Sequence, residues 1–163
     1  MEASGAVCRL APERCEAIVF LDFDGVTHAE QCRPDELFCR LPAIEAVLRR
    51  YPAVGVVISS SWRRTHGLEQ LAARFSADIA SRILGRTPWL HDEPPFAREA
   101  ECREWLRFHA YPDTEWIALD DQAWLFRPGC PNLIAVPSPG PGIGPAELSV
   151  LNDRLRQITQ ADR

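Results

Sequence analysis

The feature that most constrains this chain is a short apolar run that ends in two aspartates, IVFLDFDGVTH from Ile18 to His28. No polar residue interrupts the stretch from Ala17 to Leu21, which predicts a strand buried on both faces of a parallel sheet. Side chains alternate along an extended strand, so Asp22 and Asp24 are expected on the same side. Because burying a carboxylate is costly without a compensating cation or hydrogen bonds, two acids at this position indicate a cation site.

Apolar runs and helical patterns alternate along the rest of the chain. Buried strands are predicted at 17–21, 54–58, 117–119 and 133–136, with a weaker candidate at 81–85. Amphipathic helices are predicted at 41–51, 68–75, 98–108 and 145–158. This alternation predicts an α/β fold with a parallel sheet that helices cover on both faces. The length of 163 residues fits one domain, 1–163, with its core at about 16–158.

Composition narrows the classes of function. The formal net charge is −5, so there is no general electrostatic attraction to nucleic acid. All 18 basic residues are arginine, and a cation in a functional site is therefore expected to be an arginine or, less readily, a histidine. We expect a cytoplasmic protein, because the sequence has no apolar stretch of membrane-spanning length and no signal-peptide pattern at its start. Six cysteines without a C-x-x-C pair are expected to be reduced thiols.

A second pair of acids, Asp120 and Asp121, follows another predicted strand. Ligands of parallel α/β sheets bind beyond the carboxyl ends of the strands, so up to four carboxylates face one crevice if the two strands are neighbours. Such a group cannot stay ionised without a cation, and oxygen ligands without nearby His or Cys favour Mg²⁺. An acid pair after a strand can also serve only in capping and turn formation, but two pairs favour the metal site.

Three consecutive serines, Ser59 to Ser61, follow the predicted strand at 54–58. Hydroxyl groups and free backbone N–H groups at a strand-to-helix turn bind phosphate readily. One serine is enough to cap a helix, so three in a row favour phosphate binding over capping alone.

The segments FLDFDGV, ISSSWR and IALDD, in this order and at strand ends, resemble motifs I, II and IV of the haloacid dehalogenase (HAD) superfamily of phosphatases. Together with DGVTH and REAECREWL they more narrowly resemble the small HAD phosphatase domains associated with RNA repair. The resemblance covers about residues 16–158 and implies a three-layer Rossmann-like sheet, phosphatase activity and Mg²⁺. Thr27 stands where a leucine is expected in the narrower family, and this departure affects no catalytic role.

The resemblance assigns roles to the four aspartates. Asp22 would be the nucleophile that forms an aspartyl-phosphate, and Asp24 the general acid for the leaving alcohol and then the base for the hydrolytic water. Mg²⁺ would be held by Asp22, the backbone carbonyl of Asp24 and the acidic pair. Of that pair, Asp121 is favoured as the direct ligand and Asp120 as its support.

The resemblance also implies groups that bind the phosphate. Ser59 matches the hydroxyl of motif II, and Ser60 replaces it if the strand ends one residue later. Motif III requires a cation, for which Arg98 is the choice and Arg103 the competitor. Among neighbouring residues, His28 is weighed as a substrate contact, and Trp62 as a packing residue rather than a stacking platform.

The predicted loops contain no room for a globular cap domain, either between Asp24 and the first helix or in RTPWLHDEPPFA before Arg98. An open site favours a macromolecular phosphate, either a phosphorylated nucleic acid end or a phosphoprotein, although the acidic net charge argues mildly against tight nucleic acid binding. The alternatives are a non-hydrolytic phosphate-binding or regulatory module on the same fold and, last, a receiver-type signalling domain, which requires a lysine that this chain lacks. No membrane partner is expected, and the oligomeric state stays open.

Overall fold

A computed structural model of the chain describes residues 10–161, in which five parallel strands form a single sheet. The strands are β1 (Ala17–Leu21), β2 (Val54–Ile58), β3 (Ile83–Arg86), β4 (Glu115–Asp120) and β5 (Leu133–Ala135). The helices are α1 (Leu41–Leu48), α2 (Leu68–Ala72), α3 (Ala77–Ala80), α4 (Ala97–His109) and α5 (Pro145–Ala161). The strand order is β3-β2-β1-β4-β5, so β1 lies at the centre between β2 and β4.

Helices cover both faces of this sheet. On one face, α1, α2, α3 and α5 pack against alternate residues of the strands in a large apolar cluster. On the other face, α4 packs through Cys102 and Trp105 against the remaining strand residues, including Ile18 and Phe20. The predicted three-layer, Rossmann-like α/β fold is therefore confirmed. Within residues 10–161, no cap domain covers the carboxyl edge of the sheet, because the segments at 22–40 and 87–96 contain only turns, one isolated β-bridge and one short 3₁₀ helix.

The strands predicted at 17–21 and 54–58 have the observed bounds. The weaker candidate at 81–85 corresponds to β3, which begins two residues later, at Ile83. The helix predicted at 68–75 forms as α2 but ends early, at Ala72, and the short helix α3, which follows after a break, was not predicted. The break has a tertiary cause: the carboxylate of Glu45 on α1 accepts hydrogen bonds from both the backbone N–H and the hydroxyl of Ser76, at 2.8 and 2.6 Å. Ser76 is therefore held in an extended conformation, and a new helix begins after it.

The structure describes the cysteines and the helices that bear on two expectations from the sequence, namely reduced thiols and no membrane-spanning stretch. Every cysteine within residues 10–161 is a free thiol, while Cys8 lies outside the described residues. In the same range, no helix combines the length and the apolar composition that crossing a membrane requires.

Phe20 is the central side chain between the sheet and α4. It is fully buried, and its ring meets those of Trp105 and Trp116 edge to face, with centroid distances of 6.0 and 5.7 Å. Such edge-to-face pairs contribute beyond the apolar area that they bury. Phe20 therefore joins β1, β4 and α4 below the carboxyl edge of the sheet.

We expect Phe20→Ala to lower the free energy of unfolding by about 3–5 kcal/mol, because it removes a ring that closely packed neighbours surround. Phe108→Ala is the matched control, since Phe108 is exposed on the same side of the molecule, and it should change stability by less than about 0.5 kcal/mol. Urea unfolding followed by circular dichroism measures both. Equal losses in the two variants would contradict the central role of Phe20.

Candidate active site

The sheet register brings the predicted site residues to one edge. β1 pairs in register with β2 on one side and with β4 on the other, and the residues that directly follow these strands are Asp22, Ser59 and Asp121. The backbone N–H of Asp22 donates to the carbonyl of Leu119 at 3.1 Å, and that of Ser59 donates to the carbonyl of Leu21 at 3.0 Å. The sequence did not determine whether β1 and β4, which precede the two groups of acids, are neighbours. The structure shows that they are.

Three carboxylates meet at this edge. One oxygen from each of Asp22, Asp120 and Asp121 lies within 4.8 Å of the other two, and each residue is at most 5% exposed. Burial, reinforced by the charge of Asp120, raises the pKa of Asp22 well above its ordinary value. Burial also raises the pKa of Asp120, to about 6. The cluster is thus fully ionised only at a cost in free energy, which a bound cation would remove.

Arg98 is the cation that the structure brings to this cluster. It lies in the first turn of α4, and its Nη1 is 2.8 Å from Asp120 Oδ2 and 3.6 Å from Asp22 Oδ1. Burial would lower the pKa of this guanidinium, but Asp120 and Asp22 outweigh that effect and raise it. The competitor Arg103 instead binds Glu99 and is half-exposed. Of the two arginines considered from the sequence, only Arg98 reaches the acids.

The oxygens of the acidic pair differ in what they contact. Asp120 accepts a hydrogen bond from Arg98 through Oδ2 and another from the backbone N–H of Gln122 through Oδ1, both at 2.8 Å. Asp121 Oδ1 is buried and has no hydrogen-bond partner within residues 10–161. A buried carboxylate oxygen without a partner is costly unless something outside the chain binds it. This contrast supports Asp121 as the direct metal ligand and Asp120 as its support.

Gly25 makes room for Asp121. Its φ is +78°, and a Cβ atom at this position would lie 2.1 Å from Asp121 Oδ2, so only glycine permits the approach. The carboxylates of Asp22 and Asp121 fit a small divalent cation held by oxygens alone, and the family resemblance adds the backbone carbonyl of Asp24 to this set. That donor set is the one Mg²⁺ prefers.

The two serines predicted to bind phosphate have different surroundings. Ser59 is the first residue after β2 and lies beside Asp22 at the sheet edge. The hydroxyl of Ser60 accepts a hydrogen bond from the backbone N–H of Trp62 at 3.2 Å and so caps a 3₁₀ turn, Ser61–Arg64. Because β2 ends at Ile58, Ser59 is the residue at the strand end that motif II predicts to bind phosphate, while the Ser60 hydroxyl caps the following turn.

Arg63 is a buried structural residue. It donates to the carbonyls of Ser59 and Ser60 at 2.9 Å, to that of Thr87 at 3.1 Å and to Glu101 at 2.6 Å. Its hydrogen bonds are therefore directed into the protein, where they hold the turn that carries the serines.

Asp24 lies apart from the cluster and has its own partners. Its Oδ1 is 2.9 Å from Nε2 of His28, and its Oδ2 accepts a hydrogen bond from Nε1 of Trp62 at 3.0 Å. His28 is 1% exposed, so burial argues against the substrate contact weighed for it. Neither contact to Asp24 was predicted from the sequence. The i,i+4 spacing of Asp24 and His28 around Gly25 is the one signal that pointed to the first of them.

We expect Mg²⁺ to stabilise the wild-type protein, by about 2.7 kcal/mol when its concentration is a hundred times the Kd. Asp121→Asn should raise the thermal midpoint of the metal-free protein, because it removes one of three crowded negative charges, and should reduce the shift that Mg²⁺ causes. Asp113→Asn, at an exposed position before β4, is the control and should leave both values unchanged. Thermal unfolding with Mg²⁺ and with EDTA measures this. An undiminished Mg²⁺ shift in Asp121→Asn would exclude Asp121 as a ligand.

The comparisons with known proteins agree with this geometry. Residues 18–140 match the family described as the HAD domain in Swiss Army Knife RNA repair proteins. The match spans most of the chain and includes every residue of the candidate site. No curated protein and no solved structure matches the chain. The resemblance found in the sequence is confirmed, and the chain belongs to this family of HAD domains.

Proposed function

We propose that this protein is a Mg²⁺-dependent phosphomonoester hydrolase that works through an aspartyl-phosphate on Asp22. Membership of the HAD superfamily supports a phosphatase-type hydrolase. The observation that carries the proposal is the buried cluster of Asp22, Asp120 and Asp121 against Arg98 at the carboxyl edge of the sheet. This edge is where parallel α/β proteins bind phosphorylated ligands.

The proposed reaction uses in turn the two aspartates that follow β1, Asp22 and Asp24. The Asp22 carboxylate attacks phosphorus, the ester bond breaks, and the leaving oxygen takes a proton from Asp24. Asp24, now ionised, takes a proton from a water molecule that attacks the phosphorus of the aspartyl-phosphate. The acyl-phosphate bond breaks, inorganic phosphate leaves, and Asp22 and Asp24 return to their starting states. The net reaction is hydrolysis of a phosphate monoester to an alcohol and phosphate.

The other residues of the site stabilise the transferring group. Arg98, close to Asp22, offsets part of the negative charge, and the Ser59 hydroxyl donates to a phosphate oxygen. When held by Asp22, the Asp24 carbonyl and Asp121, Mg²⁺ would neutralise further charge on the phosphoryl group.

The open edge of the sheet supports a macromolecular substrate. A small metabolite needs an enclosing pocket, and no cap domain covers the site within residues 10–161. A substrate that is itself large can cover the site and exclude water.

A groove beside the site favours a nucleic acid end over a phosphoprotein. It has a volume of about 400 Å³ and extends from Arg98 past Phe96 and Trp89, both of which are exposed. The guanidinium of Arg64 lies over the Trp89 ring, 3.4 Å from its centroid. Planar aromatic and guanidinium groups beside a phosphate site are the surfaces on which proteins stack unpaired bases. A phosphorylated single-stranded end is therefore the proposed substrate, and the local groove matters more than the acidic net charge.

Asp22→Asn tests the hydrolytic function. With Mg²⁺, the wild type should release phosphate from p-nitrophenyl phosphate and from a 5′- or 3′-phosphorylated oligonucleotide, and EDTA should stop the release. The substitution should lower the rate by at least about a thousandfold, because it removes the nucleophile. Asp113→Asn should keep the wild-type rate. A folded wild-type protein that binds Mg²⁺ and releases phosphate from no substrate would support a non-hydrolytic phosphate-binding module instead.

A double variant, Arg64→Ala with Trp89→Ala, tests the substrate. Stacking contributes about 1–3 kcal/mol per base, so KM for a phosphorylated oligonucleotide should rise about tenfold while kcat/KM for glycerol 2-phosphate stays within about twofold. Arg107→Ala with Phe108→Ala is the matched control, because it removes another arginine–aromatic pair at the opposite end of α4. If KM for the oligonucleotide does not change, or if a phosphopeptide is the better substrate, the groove does not bind bases.

A further inference from the structure

We propose that His28 and Trp62 are positioning residues that hold the carboxyl group of Asp24 in line with the leaving oxygen of the substrate; this role rests on the proposed hydrolytic function. The two side chains provide one N–H donor to each Asp24 oxygen, at 2.9 and 3.0 Å. They come from different segments, the turn after β1 and the 3₁₀ turn after β2. We call His28, Trp62 and Asp24 the Asp24 clamp.

The backbone determines which nitrogen of His28 donates. The N–H of Phe38 donates to His28 Nδ1 at 3.2 Å, and a backbone N–H can only be a donor. Nδ1 is therefore the acceptor, and in the neutral ring the proton lies on Nε2, which faces Asp24 Oδ1. The hydroxyl of Thr27, 2.9 Å from Nδ1, lies on the same side of the ring. These contacts orient the imidazole so that it donates to Asp24.

The chain accepts backbone strain to make this contact. Phe38 has φ of +62°, a left-handed conformation that is uncommon and strained for a bulky residue. In this conformation its N–H bonds to His28, and its ring packs edge-on against the imidazole with centroids 5.1 Å apart. Strain of this kind persists where the surrounding structure holds it, often at functional sites. The buried His28 ring is thus fixed by several independent contacts.

Trp62 is held as firmly as His28. Its ring meets Phe23 and Phe38 edge to face, with centroid distances of 5.8 and 5.4 Å, and stacks on His66 at 5.1 Å. Its backbone N–H is capped by Ser60, next to the proposed phosphate-binding Ser59. The short turn from Ser59 to Trp62 therefore fixes the position of the indole N–H relative to the proposed phosphate site.

The clamp leaves Asp24 free to exchange a proton. A carboxylate oxygen has two lone pairs, so one on each oxygen remains available after the two hydrogen bonds. The Asp24 side chain is 39% exposed, in contrast to the buried Asp22, and a leaving group can reach it. The proton that Asp24 gives to the leaving oxygen, and later takes from water, moves through one of these free positions. Without the donors, the carboxylate can rotate away from that line.

The test compares two esters that differ in their need for a proton. An alkoxide such as that of glycerol 2-phosphate leaves only if it is protonated, whereas 2,4-dinitrophenolate leaves without a proton. We measure kcat/KM, because it covers the steps up to departure of the leaving group and is independent of hydrolysis of the aspartyl-phosphate. Trp62→Phe, which keeps a ring but removes the N–H, should lower kcat/KM about tenfold for the alkyl ester. The value for the dinitrophenyl ester should stay within about twofold.

Two further variants separate positioning from packing. His28→Gln keeps an N–H donor near the place of Nε2 and should retain more alkyl-ester activity than His28→Ala. His109→Ala removes the stacking partner of another tryptophan, Trp105 on α4, away from Asp24, and should leave the ratio of the two esters unchanged. Equal losses on both esters in Trp62→Phe, or no loss on either, would overturn the clamp while leaving the hydrolase intact. A wild-type protein that hydrolyses neither ester would overturn the proposed function itself, and with it any catalytic role of the clamp.

Discussion

The contact of three buried carboxylates with one arginine is the interaction on which the rest of the site depends. Asp22, Asp120 and Asp121 are brought together because β1 and β4 are adjacent and in register, and the apolar residues of those strands determine the register. Hydrophobic burial therefore maintains an arrangement that electrostatics opposes. Arg98 offsets part of the repulsion, and Asp121 Oδ1, which has no hydrogen-bond partner within residues 10–161, indicates that the offset is incomplete. A protein that lost the packing of β1 beside β4 would therefore lose this cluster.

Local sequence patterns predicted the strands well and the helix boundaries less well. β1 and β2 are uninterrupted apolar runs between polar or turn residues, so their observed bounds follow from composition alone. The division between α2 and α3 depends on Glu45, a residue of α1 whose carboxylate holds Ser76. A contact between residues that are distant in the chain leaves no periodic signal. The strand order also depends on contacts between distant residues. The alternation of strands and helices predicts a parallel sheet, but it does not predict which strands are neighbours.

In the candidate site, too, the sequence predicts which types of residue take part, but not which groups each side chain contacts. The sequence identified Asp22, Asp121 and Arg98 as residues able to bind a metal or a phosphate, and the structure brings them to one edge. It chose Ser59 over Ser60 on the condition that the strand ends at Ile58, and β2 ends there. Arg63 follows the serines closely in sequence, and only the structure shows that its hydrogen bonds hold their turn from inside the protein. The partner of a side chain depends on three-dimensional proximity, which a motif does not record.

The two aspartates of the DFD segment differ in environment although they are two residues apart. Asp22 is buried beside other acids, where its charge is costly and a cation or a phosphorus atom relieves the cost. Asp24 is partly exposed, and the side chains of His28 and Trp62 orient its carboxyl group. A nucleophile acts best close to the phosphorus atom in a site from which water is excluded. A general acid and base must instead be accessible to the leaving group and then to water. The different surroundings of the two carboxylates, rather than their identical chemistry, therefore support the division of roles proposed for them.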